Sequence, residues 1–463
     1  MPLRGAIMSA LCALASIAGA QSPSATVSFD YDNAGNLTKT TDGLQHTTTY
    51  GYDALSRRTS ATDQATGVTR YTYDALDQLT SVTDARQILT VYTIDGLGNL
   101  TQTASGDTGA TINTYDEAGN LTSRTDARQQ KTTYQYDALD RLTLVTYADN
   151  ATVVYTYDQG PNAIGRLSRI TDSSGSVQYS YDPHGHVTEE TRVIGGASHV
   201  TAYRYDTAGR LSGMSYPTGL VLEYGRDGAG RINQISTMAG GVATPLLQAV
   251  TYQPFGPVAD VTFGNGQTQK RNYDLDGRLA GYSLSAHTMA IGYDAANRIT
   301  AIGNSSAPAT GTTYGYDVLD RLTSAIAPTI SHGYDYDAVG NRTQKTVNGA
   351  PTAYAYTGTG NRLTQAGAQA VATDPNGSIT SKGNATFNYD ARGRMVSANT
   401  AIGVVQYTIN SLGQRVRKVT PNDTTVFHYD AGGKLIAETT TTGTVTSTQQ
   451  YVFLGEMPVA VVK

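Results

Sequence analysis

Short runs of alternating polar and β-favouring residues recur along most of the chain. Residues 47–52 and 68–74 are rich in Thr, Tyr and Val, and turn-forming residues separate such runs. Alternation with a period of two in these residue types predicts β-strands bounded by tight turns. Beyond the first 20 residues, no stretch has the apolar periodicity of an amphipathic helix. The sequence therefore predicts an all-β protein.

A repeated unit sets the order of these strands. It reads Tyr-Asp-x-x-Gly-(Asn/Arg)-Leu and recurs every 21 residues in the first part of the chain, where Ile94-Asp95 fills one gap. The period loosens after Tyr157, but the chain holds 20 units, of which 14 keep the Tyr-Asp pair. A fixed period of this size indicates one supersecondary unit stacked many times. Each unit is predicted to form a strand, a turn, a second strand and a second turn.

The fifth position of the unit predicts the backbone of the first turn. It is Gly in 15 units and Ser, Asp or Asn in the other five. Gly, Asn and Asp tolerate a left-handed backbone best, and the preceding Asp can accept backbone N–H bonds as an Asx-turn. The repeated residues are therefore predicted to be structural. They include Tyr31, Asp32, Gly35, Tyr52, Asp53, Tyr73, Asp74, Tyr115, Asp116, Gly119, Tyr136, Asp137, Arg141, Tyr205, Asp206, Gly209, Arg210, Tyr273, Asp274, Gly277 and Arg278.

The number of units constrains the architecture. Twenty units of two strands give about 40 strands, or about 190 Å of flat sheet at roughly 4.8 Å per strand. Open twisted sheets seldom exceed ~10 strands without curling or splitting. A spiral around a lumen and a stacked solenoid both satisfy this limit. Because the repeat is unbroken, residues 21–463 are expected to form one domain.

Residues 1–20 have a different character. Arg4 precedes an apolar run from Ala6 to Ala18, and Ala18-Gly19-Ala20 resembles a cleavage site. This pattern predicts a secretory signal peptide cleaved after Ala20, and hence export to the periplasm, the cell surface or the medium. A disordered start and a lipidated Cys12 are less favoured alternatives. Cys12 is the only cysteine, so a mature chain would contain neither disulfides nor thiol chemistry.

Charge and hydropathy exclude two further classes of protein. Charged residues make up 15% of the chain and the net charge is −5. Lys and Arg recur about once per unit rather than in a patch, so no nucleic-acid partner is expected. No apolar run after the predicted leader approaches the ~18 residues that a transmembrane helix needs.

The repeated Tyr-Asp-x-x-Gly-Arg-Leu motif resembles the YD-repeat, or rearrangement-hotspot (RHS), family, which includes toxin-complex shells and the teneurin YD-shell. The resemblance covers about residues 27–463, and the stretches His428–Ile436 and Gln450–Ala460 are similar to the family's approach to its core. It implies a long antiparallel sheet of β-hairpins, coiled into a spiral, hollow, shell-like barrel that encloses a toxic segment. Relatives continue into a core with an Asp-Pro-x-Gly motif. Asp374-Pro375-Asn376-Gly377 is interpreted instead as a repeat turn, so no core or toxin domain is expected in this chain.

No residue pattern predicts catalysis or a cofactor. Each recurring Asp occupies an equivalent turn, which favours turn capping over a catalytic pair. The pairs Asp30/Asp32 and Asp335/Asp337 suggest calcium loops, but Thr41 and Thr346 stand where an EF-hand needs Glu. His184 and His186 could share a metal, although an ordinary turn variant is the favoured interpretation. The prediction is a non-enzymatic protein with no cofactor.

An arginine column leaves two functions open. Arg57, Arg141, Arg210, Arg278 and Arg321 could pair with a neighbouring turn's Asp or stack on Tyr, which is the favoured reading. They could instead face a surface glycan, because the family resemblance includes carbohydrate binding. The main hypothesis is a secreted scaffold or encapsulating wall of a toxin system. Expected partners are a protein cargo or effector, a second shell-forming chain, or another copy bound at an open sheet edge.

Overall fold

The protein is seen here as a computed structural model that describes residues 25–254, 256–305 and 307–463. The predicted signal peptide at residues 1–20 and Cys12 lie outside the described residues. Within them, the chain forms 42 β-strands and no helix, which confirms the all-β prediction. The first 24 strands are β1 (Ser28–Tyr31), β2 (Leu37–Thr41), β3 (Thr47–Tyr52), β4 (Arg58–Thr62), β5 (Val68–Tyr73), β6 (Leu79–Thr83), β7 (Leu89–Ile94), β8 (Leu100–Ser105), β9 (Gly109–Tyr115), β10 (Leu121–Thr125), β11 (Lys131–Tyr136), β12 (Leu142–Thr146), β13 (Thr152–Tyr157), β14 (Leu167–Asp172), β15 (Gly175–Tyr181), β16 (Val187–Ile194), β17 (Ala197–Tyr205), β18 (Leu211–Ser215), β19 (Val221–Arg226), β20 (Ile232–Ala239), β21 (Val242–Tyr252), β22 (Val258–Phe263), β23 (Thr268–Tyr273) and β24 (Leu279–Leu284). The remaining 18 are β25 (His287–Tyr293), β26 (Ile299–Asn304), β27 (Ala307–Tyr316), β28 (Leu322–Ile326), β29 (Ser331–Tyr336), β30 (Arg342–Val347), β31 (Ala350–Tyr356), β32 (Leu363–Ala366), β33 (Gln369–Thr373), β34 (Ile379–Lys382), β35 (Ala385–Tyr389), β36 (Met395–Thr400), β37 (Gly403–Ile409), β38 (Arg415–Val419), β39 (Asp423–Tyr429), β40 (Leu435–Thr442), β41 (Val445–Leu454) and β42 (Met457–Val462).

The strands form one antiparallel meander. Each described strand pairs with the strands before and after it in the chain, as β3 does with β2 and β4. Connections this short permit only antiparallel pairing. At the ends of the sheet, β1 pairs with β2 and β42 pairs with β41. The described sheet is therefore not closed.

The two kinds of turn lie along opposite sides of this ribbon of strands. Tyr-Asp turns follow the odd-numbered strands, as at residues 31–37, and the line that they form is called here the Tyr-Asp rim. Linker turns follow the even-numbered strands, as at residues 42–46, and form the linker rim. The register of each Tyr-Asp hairpin shifts at the first position of its unit, for example between Asp30 and Tyr31, because the turn adds a residue to one strand.

The ribbon coils into a spiral. The Ala25 N–H donates to Asp276 Oδ2 across 251 residues of chain, and the Arg86 guanidinium donates to the Gly360 carbonyl across 274 residues. At 21 residues per unit, these separations correspond to roughly twelve units per winding. Strands β1–β24 form the first winding and β25–β42 the second. The spiral-shell prediction is thereby confirmed.

A seam joins the two windings. It consists of linker turns of the first winding that contact Tyr-Asp turns of the second. Arg128 donates to the carbonyls of Asp390 at 3.1 Å and Ala391 at 3.2 Å. Arg392 lies over the Tyr147 ring, 4.1 Å from its centroid. The seam is therefore held by charged and polar groups that reach across it.

The largest apolar core forms where the last strands meet the first winding. Residues of β17–β22, including Leu222, Ile235 and Leu247, pack with Ile436 and Val452 of β40 and β41. All five side chains are buried. A lone hairpin is marginally stable in water, so packing between windings supplies burial that a single unit lacks.

Candidate functional site

The turn between β11 and β12 shows the geometry that recurs along the Tyr-Asp rim. The Oδ1 atom of Asp137 accepts the backbone N–H of Leu139 at 2.9 Å and that of Arg141 at 3.0 Å. Asp140, at the fifth position, donates its N–H to the Asp137 carbonyl at 3.0 Å and has a φ of 57°. This geometry is an Asx-turn with a left-handed residue, as the sequence predicts.

The left-handed backbone recurs at the fifth position whether or not that residue is glycine. A positive φ is found at Gly35, Ser56, Asp77, Gly98, Gly119, Asp140, Gly165, Gly185, Gly209, Gly230, Gly277, Asn297, Asp320, Gly340, Gly377, Gly393, Gly413 and Gly433. Asp374 likewise caps its own turn by accepting the Ser378 N–H at 2.9 Å, so residues 374–377 form a repeat turn, as interpreted from the sequence.

The arginine column pairs first within its own turn. Arg141 Nε donates to Asp137 Oδ2 at 2.7 Å, and its Nη2 donates to Asp158 Oδ2 of the next unit at 2.8 Å. Its guanidinium also lies 4.4 Å from the centroid of the Tyr157 ring. The sequence suggested the neighbouring Asp and Tyr and did not identify the Asp four residues earlier. The own-turn pair recurs for Arg57, Arg210, Arg231, Arg278, Arg298, Arg321 and Arg394.

Each repeat tyrosine after Tyr31 also bonds to the unit before it. The Tyr136 hydroxyl donates to the Leu121 carbonyl at 3.0 Å, and the Tyr157 hydroxyl donates to the Leu142 carbonyl at 3.0 Å. Arg226 stands in the tyrosine column, and its Nη2 donates to the equivalent Leu211 carbonyl at 2.7 Å. The hydroxyl is therefore a link between successive units, a role that the sequence left unspecified.

These contacts perturb the acidity of the turn groups. Hydrogen bonds, that from the Arg141 N–H above all, hold the pKa of Asp137 below its usual value. The hydrogen bond to Asp158 is the largest of the influences that raise the pKa of Arg141. Both groups thus stay ionised over a wide pH range. Their charges pair with each other and with Asp158 of the next unit.

The histidine pair suggested as a metal site is part of a turn. His186 Nδ1 lies 2.8 Å from Asp182 Oδ2, and its ring stacks on Tyr205 at 4.7 Å. The ring centroids of His184 and His186 are 6.0 Å apart. His186 therefore occupies the place of the arginine in other units, which is the turn-variant geometry.

The residues of the suggested calcium loops are also engaged in repeat contacts. Asp32 accepts the Ala34 and Asn36 N–H groups, each at 2.9 Å. Asp335 accepts the Gln344 side-chain amide at 3.1 Å, and Asp337 caps its own turn.

One group of possible metal ligands in the described structure spans the seam. Asp42, His46 and Asp320 hold ligand atoms within 4.8 Å of one another. However, Arg298 Nη1 donates to Asp320 Oδ1 at 2.8 Å, and this guanidinium supplies the positive charge that the carboxylate requires. Asp42 and Asp320 lie in different windings, so no local motif could have identified the group. We therefore assign this cluster to the seam.

A buried polar cluster lies beside the apolar core. Glu190 and Arg192 of β16 are 0% and 4% exposed, and His428 of β39 is 2% exposed. Arg192 Nε donates to Glu190 Oε1, and the His428 ring meets His199 of β17 edge-on at 4.7 Å. His428 Nε2 lies 3.1 Å from Thr439 Oγ1.

Burial perturbs this cluster strongly. It raises the pKa of Glu190, and together with His199 and Arg192 it lowers the pKa of His428 to about 4. Glu190 Oε2 and His428 Nδ1 are buried without a hydrogen-bond partner. The sequence prediction missed this cluster. Its only local signal is the pair of ionisable residues at alternate positions of β16.

Taken together, the fold and the repeated turn define an open, coiled antiparallel β-shell built from one repeat. The teneurin YD-shell family profile matches residues 283–451. The RHS repeat profile matches residues 31–69, 59–88, 115–152, 162–198 and 205–243. The chain belongs to the RHS/YD-repeat family.

Solved structures share this fold at low sequence identity. The Tc holotoxin pore of Photorhabdus luminescens, carrying a TccC3 mutation, superposes with a TM-score of 0.74 at 18% identity over 92% of this chain. The TcdB2-TccC3 crystal structure gives 0.72 at 17% identity over 93%, and TcdB2-TccC3-Cdc42 gives 0.71 at 16% over 91%. The chain spans 27%, 30% and 29% of those chains. No protein with a curated description matches it. In the described part of the chain, no helix could span a membrane.

Proposed function

We propose that this chain is a non-enzymatic wall that isolates a protein cargo, as a scaffold or encapsulating component of an exported toxin system. The observation that carries the proposal is the spiral of 42 strands, whose two windings are joined by a seam. A wall of this kind acts by geometry, because it separates an enclosed segment from solvent and proteases. The charges of its repeated turns satisfy one another, which suits a structural surface.

The expected partner is a protein. The chain covers under a third of the length of the similar shell structures, and two of these are described as TcdB2-TccC3 assemblies. A second shell-forming chain or an effector is therefore the proposed partner. The predicted signal peptide at residues 1–20 supports export to the periplasm, the cell surface or the medium.

A protease-protection experiment tests the wall. One flexible, protease-sensitive peptide would be fused after Lys463, because β42 lies against β21 and the core rather than on a free rim. The control carries the same peptide between Ala401 and Ile402, at a highly exposed linker turn. We expect slower cleavage of the C-terminal peptide. Equal cleavage rates on both folded proteins would contradict encapsulation.

Glycan binding through the arginine column is the alternative function. Arg57, Arg141, Arg278 and Arg321 each combine an ion pair with stacking on a tyrosine of the next unit, so a glycan would compete with these contacts. Arg210 is more exposed than these four and pairs with Asp206. A glycan array probed with the chain and with Arg210→Ala is the test, and the absence of binding would remove this alternative.

Self-association through a sheet edge is a second proposed contact. The β1 edge has Val27, Phe29 and Tyr31 exposed on alternate positions. An unpaired, apolar edge strand is a template for another strand. Light scattering tests this contact, and a Phe29→Asp variant that associates as the parent does would argue against it.

A further inference from the structure

One face of the sheet carries the repeat tyrosines and is called here the tyrosine face. In β7, β9 and β31 the side chains of this face are half-buried, whereas the alternate side chains are exposed. Ile112 of the opposite face is 51% exposed although it is apolar. Side chains alternate between the inside and the outside of a coiled sheet and crowd together on its concave side. The tyrosine face is therefore the inner face of the spiral.

Two units replace apolar side chains of this face with cations. The seventh and tenth positions of a unit lie on the tyrosine face and are usually apolar, as at Leu142. Arg342 and Lys345 of β30 occupy these positions in one unit, and Arg415 and Lys418 of β38 occupy them in another. No other unit has cations at both positions. Packing of the wall does not explain these two pairs, because the other units fill the same positions without them.

These four cations have no carboxylate partners. None of them forms an ion pair with any residue that the structure describes, and Arg342 Nε is buried without a hydrogen-bond partner. The carboxylates in the middle of strands on this face are Glu190, which bonds to Arg192, and Glu438. The turn aspartates already pair with arginines of their own turns, as Asp137 does. The positive charge of the two pairs is therefore left uncompensated.

Aromatic rings hold the arginine of each pair in place. The Arg342 guanidinium lies 4.6 Å from the centroid of the Tyr354 ring and 6.0 Å from that of Tyr334. The Arg415 guanidinium lies 4.4 Å from the centroid of the Phe427 ring. Stacking of this kind orients a guanidinium and leaves its N–H groups free to donate to a planar anion. Because the arginines cover these rings, the rings are poor platforms for nucleic-acid bases.

The spacing of each pair matches an extended polypeptide. Lys345 pairs with Tyr334 and Arg342 pairs with Tyr336, so the two cations stand two residues apart along the strand, or about 6.7 Å. The pair on β38 has the same register. Alternate side chains of an extended chain have this spacing and point to one side. Since β30 and β38 are eight strands or about 38 Å apart along the ribbon, the pairs are separate sites rather than one continuous basic groove.

Polypeptide already covers another part of this face, and cations of the face contact it. Strands β40 and β41 pack on the tyrosine face of β17–β22, where Leu222 is buried. Arg192 of the same face donates to Gln414 Oε1 at 2.6 Å, and Arg271 Nη2 contacts Met457 Sδ of β42. The tyrosine face thus binds polypeptide of this chain in one region and presents free cations in another.

We propose that the tyrosine face binds an acidic segment of the enclosed polypeptide, whose carboxylates pair with Arg342 and Lys345 and with Arg415 and Lys418. The inference rests on the proposed encapsulation and adds the chemistry of the cargo. Carboxylates at alternate positions of an extended segment accept charge-assisted hydrogen bonds from one pair of cations. Such a contact holds a cargo by its charge and weakens as salt is added.

A tethered acidic tail tests the sites in the full chain. A tail of alternating Glu and Thr would be fused after Lys463 and labelled with a fluorophore at its end, because β38 is four strands or about 19 Å from β42. We expect higher fluorescence anisotropy for this tail than for one of alternating Gln and Thr. The difference should vanish at about 1 M salt, where the Debye length is about 3 Å. This comparison needs no substitution in the wall.

Two variants with equal changes of charge locate the contact. The first removes the four cations, as Arg342→Gln/Lys345→Gln/Arg415→Gln/Lys418→Gln. The acidic tail should then fall to the anisotropy of the neutral tail. The matched control removes four exposed cations of the opposite face, as Arg70→Gln/Lys131→Gln/Lys270→Gln/Arg417→Gln. It should keep the difference between the tails, and thermal melting confirms that each variant is folded.

Three outcomes would overturn the proposal. One is equal anisotropy of the acidic and neutral tails at low salt. Another is an equal loss in the two variants, which would indicate general attraction to a less acidic chain. The third is tighter binding of free oligothymidylate than of a free Glu-Thr peptide, lost in the first variant, which would assign the surface to a nucleic acid. Encapsulation is measured separately by cleavage of an uncharged fused peptide, so either proposal can fail alone.

Discussion

Gly96 and Gly98 lie in the same Tyr-Asp turn, and replacing each with alanine distinguishes the effect of backbone strain from that of packing. Gly98 has a φ of 87° and Gly96 has no left-handed backbone. A Cβ at Gly96 would meet nothing within 4 Å, and one at Gly98 would be 3.9 Å from Gln78 Nε2. We therefore expect Gly98→Ala to reduce the free energy of unfolding by about 1–2 kcal/mol, the cost of a left-handed L-residue.

Chemical denaturation of the two alanine variants is the measurement. Gly96→Ala should leave the free energy of unfolding unchanged or slightly higher, because alanine reduces the entropy of the unfolded chain. Equal losses in the two variants would mean that φ at the fifth position does not decide which residues are accepted there.

A second residue-scale prediction concerns the tyrosine hydroxyl. Tyr136→Phe removes the hydrogen bond to the Leu121 carbonyl and is expected to cost about 1 kcal/mol of unfolding free energy. Tyr31 is the matched control, because it is exposed and no unit precedes it. Tyr31→Phe should be neutral in the same denaturation assay. A neutral Tyr136→Phe would show that water replaces this bond at no cost.

Sequence predicted much of this residue-scale geometry. A column of Gly, Asp, Asn and Ser indicated left-handed turns because few residue types accept that backbone. The same backbone occurs in linker turns at Gln45, Thr66, Gln87 and Gln129. Gln and Thr are not residue types that favour a left-handed backbone, so the sequence did not predict these four positions. The hydroxyl bond of each tyrosine was missed because its acceptor is a carbonyl, which any residue supplies.

At the scale of elements, strands and turns follow from local pattern, but the seam does not. Arg128 and Asp390 are 262 residues apart in the chain, and no local periodicity relates them. Their contact depends on the number of units per winding, which sheet twist and strand number decide together. Asp42, His46 and Asp320 were missed for the same reason.

Removal of one seam arginine tests how the windings are held. Arg128 lies near Asp126 and Asp374 in addition to the carbonyls of Asp390 and Ala391. We expect Arg128→Ala to weaken local stability by about 1.5–3 kcal/mol, the range for hydrogen bonds to a charged group. Amides of residues 389–395 should then exchange faster with deuterium, as read by mass spectrometry.

Arg124 provides the control for that experiment. It is exposed on β10 of the same hairpin, and Arg124→Ala removes an equal charge without touching the seam. Exchange at residues 389–395 should stay at the parent rate in this variant. If both variants accelerate exchange equally, loss of charge rather than loss of the seam contact is responsible.

At the scale of the whole molecule, coiling brings ionisable groups of distant units into one buried cluster. Glu190 and Arg192 come from β16, His199 from β17 and His428 from β39. Each looks ordinary in its own strand, and only the overlap of the two windings removes them from water. The cluster therefore links the protonation of His428 to the packing of the last strands on the first winding.

As the pH falls, the packing of the last strands on the first winding should be destabilised before the Tyr-Asp turns are. Burial lowers the pKa of His428 to about 4, whereas an exposed histidine titrates near pH ~6.5. The unfolded chain then binds the proton more tightly, so His428 contributes stability fully above about pH 6.5, and that contribution is lost as pH falls towards 4. Hydrogen bonds from their own turns, above all from the Arg141 and Arg210 N–H groups, hold the pKa of Asp137 and of Asp206 below the usual value, so the contribution of these two aspartates is lost only in stronger acid.

Melting temperature measured against pH decides whether His428 is responsible. The melting temperature of the parent chain should fall between pH 6.5 and pH 4. That of His428→Gln should fall less, because the glutamine side chain binds no proton. Glu190, whose pKa is raised, acts in the opposite direction, and His199, whose pKa burial lowers, acts in the same direction. Both remain in the two proteins, so the difference between the curves reports His428 together with its coupling to these neighbours. His184→Gln, at an exposed turn, should follow the parent curve. Parallel curves for the parent and His428→Gln would show that the buried histidine does not govern docking of the last strands.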